Sequence, residues 1–162
     1  PTLLPDVKTY LQAAYPYSIK AGLEADDGLG ILQTKLNSRG EDTVIVTVDK
    51  DLLQIPGSHL NSDKVDEGVF TVDPDSGALW HLRQTLMGDA TDNYKGCPGI
   101  GLKKSLKLAL EGWDAIVEAF EKKGLTEEDA LVQARLAKIL DHNHWDSKKQ
   151  EPILWEPNAK EN

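Results

Sequence analysis

The sequence predicts an α/β protein in which a half-sized layer of strands and helices, residues 1 to about 77, is followed by a helical unit over about 78–145 and a tail over 146–162. Three observations carry this. The run Thr43-Val44-Ile45-Val46-Thr47-Val48 is continuously β-branched, as expected of a strand covered on both faces in a parallel sheet. Just before it, Ala25, Leu29, Leu32 and Leu36 recur at helical spacing. After Ala78 the apolar residues recur only at helical spacing, and strand followed by helix in close succession marks the α/β class.

Each element has its own signal. Pro5 precedes a short helix over Asp6–Ala14, and Tyr17-Ser18-Ile19 reads as a short strand. Asn37-Ser38-Arg39-Gly40 ends the helix begun at Ala25. Val69-Phe70-Thr71-Val72 reads as a separate segment, and Asp73-Pro74-Asp75-Ser76-Gly77 has turn composition. Leu102, Leu106, Ala109 and Leu110 share one helix face, and Trp113, Ile116, Val117 and Phe120 share the next. Val132, Leu136, Ile139 and Leu140 follow Thr126 and Asp129, spaced as a capping box. Pro152 to Asn162 has no period and reads as a docked or loose extension.

Composition narrows the function. The chain has 162 residues, with 27 acidic against 18 basic, a formal charge of −9. That balance excludes nucleic-acid binding by bulk charge. The single cysteine, Cys97, excludes an internal disulfide and a Cys-based zinc cage. No apolar run reaches the roughly 18 residues of a membrane span, so the expectation is a soluble intracellular protein without a membrane partner.

The carboxylates fall into clusters: Glu24, Asp26 and Asp27; Asp49 and Asp51; Asp89 and Asp92. The first opens a predicted helix and the second follows the buried strand. In α/β sheets, sites form at the carboxyl ends of strands, which places those two side by side. Carboxylates forced together without basic partners call for a divalent cation with hard oxygen ligands. Two such ions about 3.5–4 Å apart can activate water and hold a phosphodiester during in-line displacement. Each cluster taken singly also fits a helix cap or a solvated turn. A calcium loop does not fit, because the glycine position counted from Asp49 is Gln54. A phosphoacceptor receiver would leave Asp51, Asp89 and Asp92 unexplained.

Lys95-Gly96-Cys97-Pro98-Gly99-Ile100-Gly101-Leu102-Lys103-Lys104-Ser105 is the second informative segment. Its glycines allow close backbone approach to a ligand. The helix beginning near Leu102 aims its N–H groups at the turn, where a phosphate meets amides, dipole and lysines. Lys103, Lys104 and Lys107 fall on the flank away from Leu102, Leu106 and Ala109. Walker-loop spacing is absent. A small basic patch beside an acidic pocket suits a nuclease better than a bulk nucleic-acid binder.

In order and spacing, four segments resemble the 5′-nuclease (flap endonuclease/5′–3′ exonuclease) superfamily. They are Gly22-Leu23-Glu24-Ala25-Asp26-Asp27, Thr47-Val48-Asp49-Lys50-Asp51-Leu52-Leu53, Gly88-Asp89-Ala90-Thr91-Asp92-Asn93 and Gly96-Cys97-Pro98-Gly99-Ile100-Gly101. The stretch from Ala134 to Pro157 looks like the exonuclease branch of short-tailed phages. The resemblance implies the C-terminal portion of a PIN-like (Rossmann-like) nuclease domain with a helix–three-turn–helix DNA clamp. It implies Glu24 and Asp26 near a first Mg²⁺ or Mn²⁺, with Asp27 at its edge, and Asp49, Asp51, Asp89 and Asp92 around a second. Glu24, Asp26, Asp49, Asp51 and Asp89 are the implied catalytic carboxylates.

The glycine turn, Gly99-Ile100-Gly101, would hold K⁺ bridged to a DNA phosphate, with Lys95, Lys103, Lys104 and Lys107 alongside. The implied substrates are DNA with a 5′ end or flap, and an RNA–DNA hybrid. A phage-encoded member would work in the cytoplasm of a bacterial host. Family members carry a preceding region with a first strand, further Asp ligands and a basic arch. The expectation is therefore that the chain is the C-terminal half of the complete enzyme, either as a fragment or as one product of a split gene whose partner polypeptide supplies the other half. The competing readings are a catalytically silent DNA-binding module and a PIN-type ribonuclease.

Overall fold

The computed structural model describes residues 3–157. Helix α1 (Leu4–Ala14) leads through an irregular stretch to α2 (Ala25–Asn37), strand β1 (Val44–Thr47) and a 3₁₀ turn at Asp51–Gln54. Strands β2 (Gly57–Asn61) and β3 (Phe70–Val72) follow, then helices α3 (Pro74–Met87), α4 (Leu102–Glu111), α5 (Trp113–Glu121) and α6 (Glu127–Ala137). A short hairpin of β4 (Trp145–Asp146) and β5 (Glu151–Pro152) comes last. The main sheet has the order β1-β2-β3, with β1 parallel to β2 and β3 antiparallel to it.

The helical half packs around Leu86, Ile100, Trp113, Ile116, Phe120, Ala130 and Ala134. Trp155 of the tail lies edge-on against Trp113 and His81, at 5.2 and 5.0 Å between ring centroids. The tail is therefore docked as far as that residue, while its last five positions lie outside the described residues. A smaller core of Ile45, Leu52, Ile55 and Ile139 sits beside the sheet. Ile139 belongs to a strap, residues 137–142, that leaves α6 and crosses back over the α/β layer.

The mixed α/β class holds, and several local readings are corrected. Tyr17-Ser18-Ile19 is irregular and exposed instead of a strand. Residues 73–77 begin α3 instead of forming a turn. The Asp73 carboxylate accepts the Ser76 N–H at 2.9 Å, and Pro74 occupies the first turn where its missing N–H costs nothing. Position 77 thus falls inside a helix that serves both halves. Strand β1 is not covered on both faces, because Ile45 is buried while Val44 and Val46 are exposed. Its neighbour β2 was hidden in the polar run Gly57-Ser58-His59-Leu60-Asn61.

The expected buried faces of three helices are displaced. In α4 the buried residues are Ser105 and Ala109, and Leu102 is 61% exposed. In α6 they are Ala130, Ala134 and Ala137, and Leu136 is 59% exposed. In α2, Gly30, Ile31 and Gln33 turn inward while Leu29 and Leu32 face out. Small side chains face inward wherever the helix backbone lies close to its neighbour, and periodicity of large apolar residues does not register them.

Candidate metal centre and glycine turn

The acidic cavity is assembled from backbone turns. After β1, Thr47 Oγ1 accepts the Asp49 N–H at 3.0 Å, and Asp49 Oδ1 accepts the Asp51 N–H at 2.9 Å. These bonds start the 3₁₀ turn that buries Leu52 and Gln54 on its inner side. Glu24 stands at the N-cap of α2 without a side-chain cap bond, followed by Asp26 and Asp27 in the first turn. Capping therefore does not account for Glu24. The helix dipole there partly offsets their charge.

Asp89 and Tyr94 exchange backbone bonds of 2.9 and 3.0 Å, closing a tight loop. Within it, Asp89 Oδ1 accepts the Thr91 N–H at 2.6 Å, and Asn93 takes φ of 60°. The loop turns Asp89 and Asp92 toward Asp51. Carboxylate oxygens of these three lie within 4.8 Å of one another.

Glu24, Asp26, Asp27, Asp49, Asp51, Asp89 and Asp92 all line one cavity of about 870 Å³, completed by Tyr94, Gln84 and the strap. Burial, then Asp49 and Asp89, push the Asp51 carboxyl up to about 6. Burial, then Asp49 and Glu24, raise Asp26. Burial and Asp51 raise the Tyr94 hydroxyl. Lys138 also lines the cavity, but its ammonium is held by Asp141 at 3.1 Å. A donor set made of carboxylate oxygens under mutual repulsion fits a hard divalent cation, whose charge removes the repulsion. Asp27 differs from the rest, since its Oδ1 accepts the strap N–H of Leu140 at 2.9 Å.

The glycine turn lies between α3 and α4. Gln133 Oε1 accepts the N–H groups of Lys95 and Gly96 at 2.9 and 2.8 Å, and Ile100 is buried in the helical core. Gly99 has φ of +77°, a conformation that favours glycine. Gly101, at φ −106° with open space around it, has no such need. Lys103, Lys104 and Lys107 are exposed on α4, with Lys107 3.8 Å from Glu111.

Lys123 joins this patch unanticipated. A Cβ on Gly99 would stand 3.7 Å from its Nζ. It follows α5 in a turn, and no helical spacing linked it to the glycines. Gln54, Gln84 and Gln133 were missed too, because an amide in an apolar pattern gives no signal of its own.

Comparisons with known proteins fit this geometry. No family model matches the chain. It is 30% identical over 172 aligned positions to the exonuclease of Escherichia phage T7, covering 83% of this chain and 56% of that protein. It is 28% identical to the exodeoxyribonuclease of Enterobacteria phage T3, covering 85% and 56%. The flap endonuclease Xni of Shewanella amazonensis is 33% identical, covering 65% and 44%. The chain thus spans little more than half the length of the phage relatives, and less of the flap endonuclease.

Among solved structures, a phage T5 protein crystallised with metal ions matches at a TM-score of 0.64 and 18% identity, covering 85% of this chain and 58% of that one. The phage T5 flap endonuclease in complex with DNA and metal ions gives the same values. In sequence this chain is similar to exonucleases and flap endonucleases of the 5′-nuclease superfamily, and it shares their fold.

Proposed function

We propose that this chain supplies the metal centre and DNA clamp of a divalent-metal-dependent 5′–3′ nuclease acting on DNA with a 5′ end or flap, and on RNA–DNA hybrid. The observation that carries the reading is the convergence of seven carboxylates from three chain segments in one cavity. Glu24 and Asp26, with Asp27 at the edge, hold one Mg²⁺ or Mn²⁺. Asp49, Asp51, Asp89 and Asp92 hold the other. A bound metal pair supplies an activated water and neutralises charge on the phosphodiester. The protein's own part is to orient the carboxylates and to position the strand.

Positioning falls to the glycine turn. Its backbone over Gly99, Ile100 and Gly101 holds K⁺ beside a phosphate. Lys95, Lys103, Lys104, Lys107 and Lys123 add counter-charge. The α/β layer up to about residue 77 brings Glu24, Asp26, Asp27, Asp49 and Asp51 to the cavity, and the helical unit over 78–145 brings Asp89 and Asp92 together with the clamp.

A further polypeptide segment completes the enzyme. Two facts support this: the chain spans 56% of the phage T7 relative, and β1 pairs on one edge only among the described residues, with Val44, Val46 and Val48 exposed. The test is cleavage of a 3′-labelled flap DNA in Mg²⁺ by this chain mixed with the part of the phage T7 exonuclease outside the match. Products shortened from the 5′ end, and lost in Asp51→Asn, support the reading. DNA binding with no metal-dependent cleavage means a silent binding module. Cleavage of RNA alone means a PIN-type ribonuclease.

A further inference from the structure

Two buried glutamines support the acidic cavity, Gln84 in its wall and Gln54 behind Gln84. Gln54 is 3% exposed and Gln84 5%, and a buried amide is costly unless its polar atoms are paired. The strap backbone dictates how they pair. The Ile139 N–H can only donate, so Gln54 turns Oε1 toward it, at 3.1 Å. The Ala137 carbonyl can only accept, so Gln54 Nε2 faces it, at 2.6 Å. The remaining N–H of Gln54 meets Gln84 Oε1 at 2.7 Å. Gln84 Nε2 is thereby left to donate to Asp51 Oδ1, also at 2.7 Å. Reversing either amide would set donor against donor, so the row has one direction and ends on a carboxylate.

The packing is built for this row. A Cβ on Gly77 would stand 2.4 Å from the Gln54 carbonyl oxygen. Only without that Cβ does α3 lie against the 3₁₀ turn closely enough for Gln84 to reach both Gln54 and Asp51. Asp49 fixes the same residue from its backbone side. No other side chain donates to the Asp51 carboxylate among the described residues, and Oδ2 stays out of the row. The mutual repulsion of Asp51, Asp89 and Asp92 would otherwise swing the carboxylates apart.

We propose that Gln84, oriented by Gln54 and the strap backbone, is a positioning residue that holds the Asp51 carboxylate in place to share a divalent cation with Asp89 and Asp92. This rests on the reading of the cavity as a metal centre. Partners that orient metal ligands typically account for about 10–100-fold in metal affinity. The amides act through Asp51, to which Gln84 donates.

The experiment is a Mn²⁺ titration of the purified chain, following loss of the free-ion EPR signal, with melting temperatures measured in parallel without metal. Gln84→Met and Gln54→Met keep side-chain length and remove the bonds. Each is expected to weaken Mn²⁺ binding roughly 10–100-fold, and the double variant no further than the worse single, because one row is broken only once. Thr85→Val removes a different buried bond in α3, from Thr85 Oγ1 to the His81 carbonyl. It should lower the melting temperature and leave Mn²⁺ affinity unchanged.

Wild-type affinity in Gln84→Met, alongside loss in Asp51→Asn, would overturn the relay and leave the metal centre standing. Additive losses in the double variant would overturn it too. Equal Mn²⁺ binding by wild type and Asp51→Asn would sink the metal reading itself and the relay with it. Should Gln84→Met not fold, Gln54→Met decides, since it leaves the Gln84–Asp51 bond intact while removing its orienting partner.

Discussion

Asp27 Oδ1 accepts the N–H of Leu140 at 2.9 Å, so one carboxylate of the acidic cavity also fastens the strap that closes it. The two ends of this bond are 113 residues apart. It ties α2 of the α/β layer to the chain emerging from α6. Asp27 is therefore the cavity carboxylate that holds the strap, whereas Asp49 and Asp89 accept bonds within their own turns.

Asp27→Ala is accordingly expected to cost stability without metal. The Leu140 N–H loses its acceptor, worth about 1–3 kcal/mol when partly buried. Urea denaturation of the metal-free protein measures it. Asp51→Asn in the same assay should be neutral or stabilising at pH 8, since it removes a repelled charge and keeps an acceptor for Gln84. Equal losses from the two substitutions would contradict the division of labour.

His81 sets an acid limit. It is buried, its Nε2 donates to the Ala134 carbonyl at 2.8 Å, and burial with Lys138 nearby lowers its pKa to about 3. His144 lowers it further and Asp141 opposes them. A histidine kept neutral in the fold takes up a proton more readily when unfolded. Its contribution is complete above about pH 6.5 and is lost as pH falls toward 3. Between pH 6.5 and 4.5 this amounts to about 2–3 kcal/mol. His81→Gln keeps a donor and cannot titrate, so its stability should fall less steeply than wild type over that window. Comparing the two cancels the opposite trend from the raised Asp26 and Asp51. Parallel curves would show that His81 is not the group responsible.

The lysine patch should bind phosphate without reading sequence. Lys103→Ala combined with Lys104→Ala is expected to weaken duplex binding alike for all sequences. The log–log salt slope should become shallower by up to roughly 0.9 for each DNA phosphate that a lysine no longer neutralises. Lys123→Ala should act in the same direction. Gly99→Val should damage binding more than Gly101→Val, because only Gly99 has a positive φ. Affinity measured at several KCl and NaCl concentrations checks all four. An unchanged slope in the lysine pair would leave the turn a purely structural feature.

The gathering of the candidate site's carboxylates was more legible in the sequence than the fold that supports it. Clustered aspartates and spaced glycines are unusual enough to signal chemistry, and the structure gathers Asp26, Asp49, Asp51, Asp89 and Asp92 into one cavity. The capping box at Thr126 and Asp129 was also legible, whereas the Asp73 cap of α3 has the composition of a turn. What stayed hidden was packing that depends on small or amide residues. Ala130, Ala134 and Ser105 face inward because backbones approach closely there, and β2 pairs through a polar sequence. The Gln54–Gln84 row was unreadable for another reason. Its partners are backbone groups 83 and 85 residues away, and no local pattern encodes them.

The central claim is that the cavity formed by Glu24, Asp26, Asp27, Asp49, Asp51, Asp89 and Asp92 is a divalent-cation site. Two bound ions would bring the formal charge from −9 to −5, and binding to the folded state alone raises stability by mass action, about 2.7 kcal/mol at a hundredfold excess over Kd. The direct measurement is the melting temperature of the chain at neutral pH across a millimolar Mg²⁺ and Mn²⁺ series, for wild type, Asp51→Asn and Asp89→Asn. We expect a concentration-dependent rise in wild type that both variants blunt. A melting curve that does not move with metal, or moves equally in all three proteins, would contradict the account.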